Sequence, residues 1–195
     1  MRVLVIYCHP RPDSFSAALR DAAVDGLTAS GHSVELRDLY AGAFDPVLST
    51  QQRGVYFNEA ESVSGVEDHV ASLRQADGLV LIYPTWWFGM PAMLKGWFDR
   101  VWLPGVAFHL GGPKVMVPLL TNIRRIGVVT TYGSPWWLLW WVGWPDRRVV
   151  RRGLRPLCAA GCRIHWLGLT RMDEDNATRR RRFLSKVKQH LAEWR

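Results

Sequence analysis

Three short stretches of the chain carry side chains suited to chemistry on a flat, charged ligand. The first runs from His9 through Arg11 to Ser14-Phe15-Ser16. Ser14 and Ser16 offer hydroxyl donors, His9 and Arg11 offer charge, and a helix starting here would aim free amides and its positive dipole end at an anion such as phosphate. Ser14 serves equally well as a plain helix cap, and His9 as a packing residue. The second stretch is Pro84-Thr85-Trp86-Trp87-Phe88-Gly89. One such ring would read as core; three in a row before a glycine suit a planar heterocycle such as an isoalloxazine, with main-chain amides for its N5 or carbonyl edge. The third is Thr130-Thr131-Tyr132-Gly133, whose hydroxyls and amides suit a pyrimidine carbonyl and the negative charge that builds there on reduction.

These stretches meet only if the fold brings them together. Each follows a short apolar, β-branched run: Val3–Tyr7, Gly78–Tyr83 and Ile126–Thr131. Such runs read as strands buried on both faces. Ser33–Leu39 and Arg163–Leu169 complete five strands. Between them, Phe15, Ala18, Leu19, Ala22 and Leu27 recur at helical spacing, with Asp13 or Ser14 to start the helix and Gly31 to end it. Val66, Val70 and Leu73 mark a second helix, and Leu94, Trp97, Phe98 and Val101 a third, with Pro91 in its first turn. A helix is expected across 145–160 and a last one over about 176–193, with Phe183, Leu184, Val187 and Leu191 on one face. Residues 40–64 read as a long excursion, and 104–125 as loop or hairpin. Alternating buried strands and helices imply right-handed crossovers and a single α/β three-layer sandwich over residues 1–195, with a five-stranded parallel sheet. Ligands in such sheets bind at the carboxyl ends of the strands, where all three stretches lie.

Composition limits the alternatives. At 48% hydrophobic and 22% charged residues, a chain of 195 is globular rather than disordered. The net charge of +8 favours anionic partners. Three cysteines, Cys8, Cys158 and Cys162, are too few and too odd for a disulfide framework, and Cys158-x-x-x-Cys162 lacks a second ligand pair, so no metal is expected. No signal peptide and no run of about 18 apolar residues is evident, so the expected location is the cytoplasm. Arg179–Arg182 would point in different directions around a helix, which argues against a nucleic-acid face.

The run Tyr83-Pro84-Thr85-Trp86-Trp87-Phe88-Gly89-Met90-Pro91-Ala92-Met93-Leu94-Lys95-Gly96-Trp97-Phe98-Asp99-Arg100-Val101 resembles the NAD(P)H:quinone oxidoreductases, which include potassium-efflux ancillary oxidoreductases. His9 with Ser14-Phe15, Asp38-Leu39-Tyr40 and Thr130-Thr131 support the resemblance, which covers residues 2–134 well and the last helix loosely. It implies a flavodoxin-like fold, a homodimer, FAD with FMN as the alternative, NADPH or NADH as reductant, and a quinone-like acceptor. It places His9, Ser14, Phe15 and Ser16 at the flavin phosphates. Pro84, Thr85, Trp86, Trp87 and Phe88 would lie at the ring and ribityl chain, and Thr130, Thr131, Tyr132 and Gly133 at the pyrimidine end. Asp99 and Arg179 would flank the adenosine half. Two departures stand out. Tyr132 replaces a glycine of the family, which would strain it if that position needs positive φ. The family's later Tyr/His pair, thought to manage protons, is absent, leaving Tyr132 or water as proton source.

Residues 136–144 hold five of the 11 tryptophans. Trp136, Trp137 and Trp140 suit a pocket wall for an apolar acceptor, a dimer interface, or a peripheral membrane contact backed by Arg147, Arg148, Arg151, Arg152 and Arg155 on one helix face. Two functions follow: a flavoenzyme passing hydride to a quinone-like electrophile, or a redox-sensing regulatory subunit docked on a membrane transporter. A flavodoxin-type electron carrier is disfavoured by the basic charge.

Overall fold

The computed structural model describes residues 1–111, 116–174 and 176–194. The chain opens with β1 (Arg2–Tyr7), α1 (Phe15–Ala29) and β2 (Ser33–Asp38), then α2 (Thr50–Gly54) and α3 (Glu67–Gln75). β3 (Gly78–Pro84), α4 (Ala92–Val101) and the short strands β4 (Phe108–Leu110) and β5 (Met116–Pro118) follow. β6 (Arg125–Thr131), α5 (Trp136–Val142) and α6 (Pro145–Arg148) lead to β7 (Arg163–Leu169) and α7 (Ala177–Ala192).

Five strands form one parallel sheet in the order β2-β1-β3-β6-β7. Alternation along β1 decides which side each residue serves. Val3, Val5 and Tyr7 pack with Ala23 and Leu27 of α1 and with Val187 and Leu191 of α7. Leu4 and Ile6 face the other way, onto Leu73 of α3 and Leu94 and Trp97 of α4. Trp97 is fully buried, a side chain whose removal from water is worth roughly 3 kcal/mol. The sheet is thus covered on both faces, as parallel strands require.

The five main strands and the α1, α3, α4 and α7 helices fall where the sequence puts them. Ser14 caps α1, its side chain accepting from the Ala17 amide at 3.2 Å, and Gly31 follows the helix in a left-handed conformation. The 40–64 excursion is more ordered than expected. Ser49 and Gln52 form a reciprocal capping box that starts α2. Phe44 and Pro46 anchor the excursion on α4: Arg100 donates to the Asp45 carbonyl and lies over the Phe44 ring, and Gly96 leaves room for Pro46. The 104–125 segment contains an antiparallel hairpin, with 112–115 outside the described residues. The helix expected across 145–160 is composite. α6 runs into a π turn over Val149–Leu154 and a 3-10 turn over Arg155–Leu157. The tryptophan-rich segment forms α5, ended by Gly143 at φ 86.

Candidate functional site

The chain leaves β1 toward β2 and returns across it to β3, so the loops after β1 and β3 turn apart at this switch point. Register fixes the rim. Pro84 pairs with Thr131 and Thr131 with Leu169, so β3, β6 and β7 end level, while β1 ends two residues earlier, with Tyr7 opposite Ile82. Between the loops after β3 and β6 lies a cleft of about 600 Å³, lined by Thr85, Trp86, Trp87, Phe88, Tyr132 and Gly133, with Ser134, Leu139 and Asp173.

The wall after β3 is a two-residue reversal. Trp86 and Gly89 exchange backbone hydrogen bonds at 3.1 and 3.0 Å, and Trp87 and Phe88 bridge them at φ 51 and 61. Two consecutive left-handed residues suit Asn-Gly; two aromatics there are strained by roughly 1–3 kcal/mol each. The turn stands Trp87 out, 96% exposed. Among the described residues the amides of Trp87 and Phe88 have no partner, so both can donate into the cleft.

The opposite wall is tied to this turn. The Thr85 amide donates to the Thr131 carbonyl at 2.8 Å, and the Thr85 and Thr130 hydroxyls meet at 3.0 Å. Thr130 is fully buried and its hydroxyl fastens one loop to the other, rather than facing the ligand as expected; Thr131 is 6% exposed. Gly133 remains in the cleft, and a Cβ there would collide with the Asp173 carboxylate.

Tyr132 also departs from expectation. Its backbone carries no positive φ; the strain sits at Trp87 and Phe88 instead. Its ring is buried over Gly168, whose missing Cβ makes the space. Its hydroxyl donates to Asp146 Oδ2 at 2.9 Å and accepts from Trp166 Nε1 at 3.1 Å. Burial, then the Asp146 carboxylate, pushes the phenol well above its ordinary range. Tyr132 is therefore not placed as the proton donor: its hydroxyl is committed to a buried carboxylate. Asp146 is 2% exposed, also accepts the Arg147 amide at 2.8 Å, and is itself raised by burial. The Tyr83 hydroxyl lies near the same carboxylate without completing a hydrogen bond.

The first loop adjoins the cleft rather than lining it. The His9 ring stands 6.2 Å from that of Trp86, and the amides of Phe15 and Ser16, at the start of α1, have no partner among the described residues. Ser16 is buried and Phe15 half-buried against the α1 side of the core. Arg179 donates to Thr170 Oγ1 at 3.2 Å, just past β7. Asp99 pairs with Lys95 at 2.5 Å on α4 and borders a separate basin with Arg53 and Tyr56. α4 and α7 cover opposite faces of the sheet, so one chain does not bring Asp99 and Arg179 together.

The pocket-wall reading of the tryptophans is corrected as well. On α5 only Leu139 faces the cleft; Trp136, Trp137 and Trp140 project outward, because helical spacing gives the single inward position to Leu139. Leu139, Ser134 and Asp173 were not singled out in the sequence. Leu138 and Leu139 stand side by side among the tryptophans, and nothing in the sequence marks which of the two turns inward.

The residues present fit a flavin. A flat slot has a strained aromatic wall with two free amides, and beside it lies a capped helix start with two more.

The family described as having the flavodoxin-like fold matches residues 1–191. The human ribosyldihydronicotinamide dehydrogenase [quinone] is 34% identical over 127 residues, covering 57% of this chain and 55% of the human protein. The chain thus spans about half the length of the curated relatives it matches. Among solved structures, Smu.1420 from Streptococcus mutans UA159 superposes with a TM-score of 0.86 at 28% identity, covering 100% of both chains. The NAD(P)H:quinone oxidoreductase from Methanothermobacter marburgensis gives 0.77 at 27% identity, covering 98% of this chain and 96% of its own.

Proposed function

The chain belongs to the family with the flavodoxin-like fold, and on that premise we propose that it is a flavin-dependent NAD(P)H oxidoreductase acting on quinone-like electrophiles. The observation that carries this reading is the Trp87-Phe88 reversal, where strain is spent holding two rings and two free amides at the cleft.

A bound flavin supplies the two-electron chemistry, taking hydride from NAD(P)H and giving it to the acceptor. The chain's own groups bind, orient and exclude water. The Phe15 and Ser16 amides and the start of α1 would hold phosphate, with His9 alongside. The Trp87 and Phe88 amides would meet the ring edge, and Gly133 would admit its pyrimidine end. Leu139 and the aromatic wall keep water from the reacting face. With Tyr132 committed to Asp146, the acceptor's protons come from water at the cleft mouth.

FAD is the proposed form, supported by Arg179 beside the end of β7. Asp99 lends it nothing within one chain, and mass spectrometry of the released cofactor decides between FAD and FMN. A homodimer is part of the same reading. Leu110, Met116, Val117 and Leu119, exposed on and beside the β4–β5 hairpin, supply an apolar surface for it.

The purified protein should be yellow, and NADH or NADPH should bleach it without oxygen. Added benzoquinone should restore the colour through many turnovers. A colourless protein that takes up neither FAD nor FMN refutes the reading.

A further inference from the structure

α5 is an unusual surface. Its inward residue is Leu139, while Trp136, Trp137, Trp140 and Trp141 stand 65, 55, 70 and 77% exposed. Four indoles on one seven-residue helix form an apolar ridge. The ridge runs directly into a groove of about 1,090 Å³. Trp140 belongs to both, and Trp144 and Trp166 line the groove with Arg147, Arg148, Arg151, Arg152, Arg155 and Arg163.

Among the described residues none of these six arginines makes an ion pair. Arg147 lies over the Trp144 and Trp166 rings at 5.9 Å, and Arg155 donates to the Cys162 carbonyl. The π turn over Val149–Leu154 helps bring Arg151 and Arg152 to the same wall as Arg155. The opposite, inward face of the same helix lines the cleft through Leu139.

The partner must therefore be apolar where it meets the indoles and anionic where it meets the arginines. A second copy docking by a two-fold axis on this face would set arginine groove against arginine groove. A nucleic-acid duplex would neutralise the arginines but leave the ridge in water, and a single strand, which can stack bases on indoles, is separated by binding to vesicles free of nucleic acid. An acidic phospholipid surface satisfies both: indoles settle at the level of the headgroups, and guanidinium groups pair with phosphates.

We propose that α5 and the adjoining arginine groove dock the protein on anionic phospholipid membranes, with the cleft mouth beside the bilayer. If the flavoenzyme reading holds, the acceptor is then a quinone dissolved in the lipid.

The test is flotation of the full chain with vesicles of phosphatidylcholine alone, or enriched in phosphatidylglycerol. The protein should float only with the anionic vesicles, with a blue shift of tryptophan emission, and high salt should release it. The triple variant Arg148→Gln/Arg151→Gln/Arg152→Gln should bind roughly 100-fold more weakly. Trp136→Ser/Trp141→Ser should lose the blue shift and most of the floated fraction. Unchanged circular dichroism shows that both variants are folded.

Wild type that stays down with anionic vesicles, or variants that float as well as wild type, overturn the proposal. So does a Trp136→Ser/Trp141→Ser variant that splits an oligomer while wild type ignores vesicles, since the ridge would then be a self-interface. Flotation reads the protein itself. A colourless protein that floats sinks the flavin reading alone, and a yellow, active one that does not float sinks this one alone.

Discussion

Trp87 and Phe88 hold backbone angles that favour glycine and asparagine, and Trp87 recovers little of the cost by burial, being almost wholly in water. On the proposed flavin reading, the strain at this exposed position serves the ligand rather than the fold. Trp87→Gly should therefore raise the melting temperature, by relief of roughly 1 kcal/mol or more, while weakening flavin binding. Calorimetry with and without flavin checks both signs, and a variant less stable without ligand contradicts the argument. Asp146 is the second residue whose setting has a consequence. Burial raises its pKa above its usual 3.8, so the folded protein holds that proton more tightly than the unfolded chain does. Stability from this group is present in acid and falls as pH rises from 3.8 through the raised value. Asp146→Asn does not titrate there. Its stability deficit against wild type should be largest in acid and shrink toward neutrality, read from denaturant midpoints across pH.

At the scale of elements, the close pairing of α1 with α7 holds the first loop in place. Gly26 sits where α1 meets the α7 backbone, and a Cβ there would run into the Lys188 carbonyl. On an exposed helix, Gly→Ala gains about 1 kcal/mol. Here Gly26→Ala should instead destabilise by about 1–3 kcal/mol, as overpacking does, with a lower urea midpoint and an unchanged slope. A stabilised variant would mean the two helices part easily. Helical spacing in the sequence located both helices. It could not show that a glycine in α1 marks the contact, because a glycine reads the same in a tight crossing and in a loose one. The same limit hid α5, where so many tryptophans leave no polar face from which to read a period.

For the whole molecule, two groups of exposed apolar residues lie away from the cleft wall, the α5 ridge and the β4–β5 hairpin. The ridge is bordered by the six-arginine groove, whereas the basin near the hairpin holds Arg53 and the Lys95–Asp99 ion pair. The hairpin side thus brings far fewer like charges together when two copies meet than the groove side does. Sedimentation should give a dimer, and Met116→Glu/Val117→Lys should yield a folded monomer. A wild-type monomer at high protein concentration contradicts this. A dimer on the hairpin side leaves both ridges free on the assembled particle.

The order of the five main strands and of α1, α3, α4 and α7 followed from the sequence alone, because apolar runs and helical spacing are local properties that burial writes into every few residues. So did the position of the three candidate loops at strand ends, the edge where parallel sheets bind ligands. Tertiary structure decided the rest. It turned the Thr130 hydroxyl inward to Thr85, gave Tyr132 to Asp146, and set Asp99 and Arg179 on opposite faces. It also sent Trp136, Trp137 and Trp140 outward while keeping Leu139 at the cleft. Where a side chain points depends on what distant segments pack against it, and residue type and spacing do not carry that information.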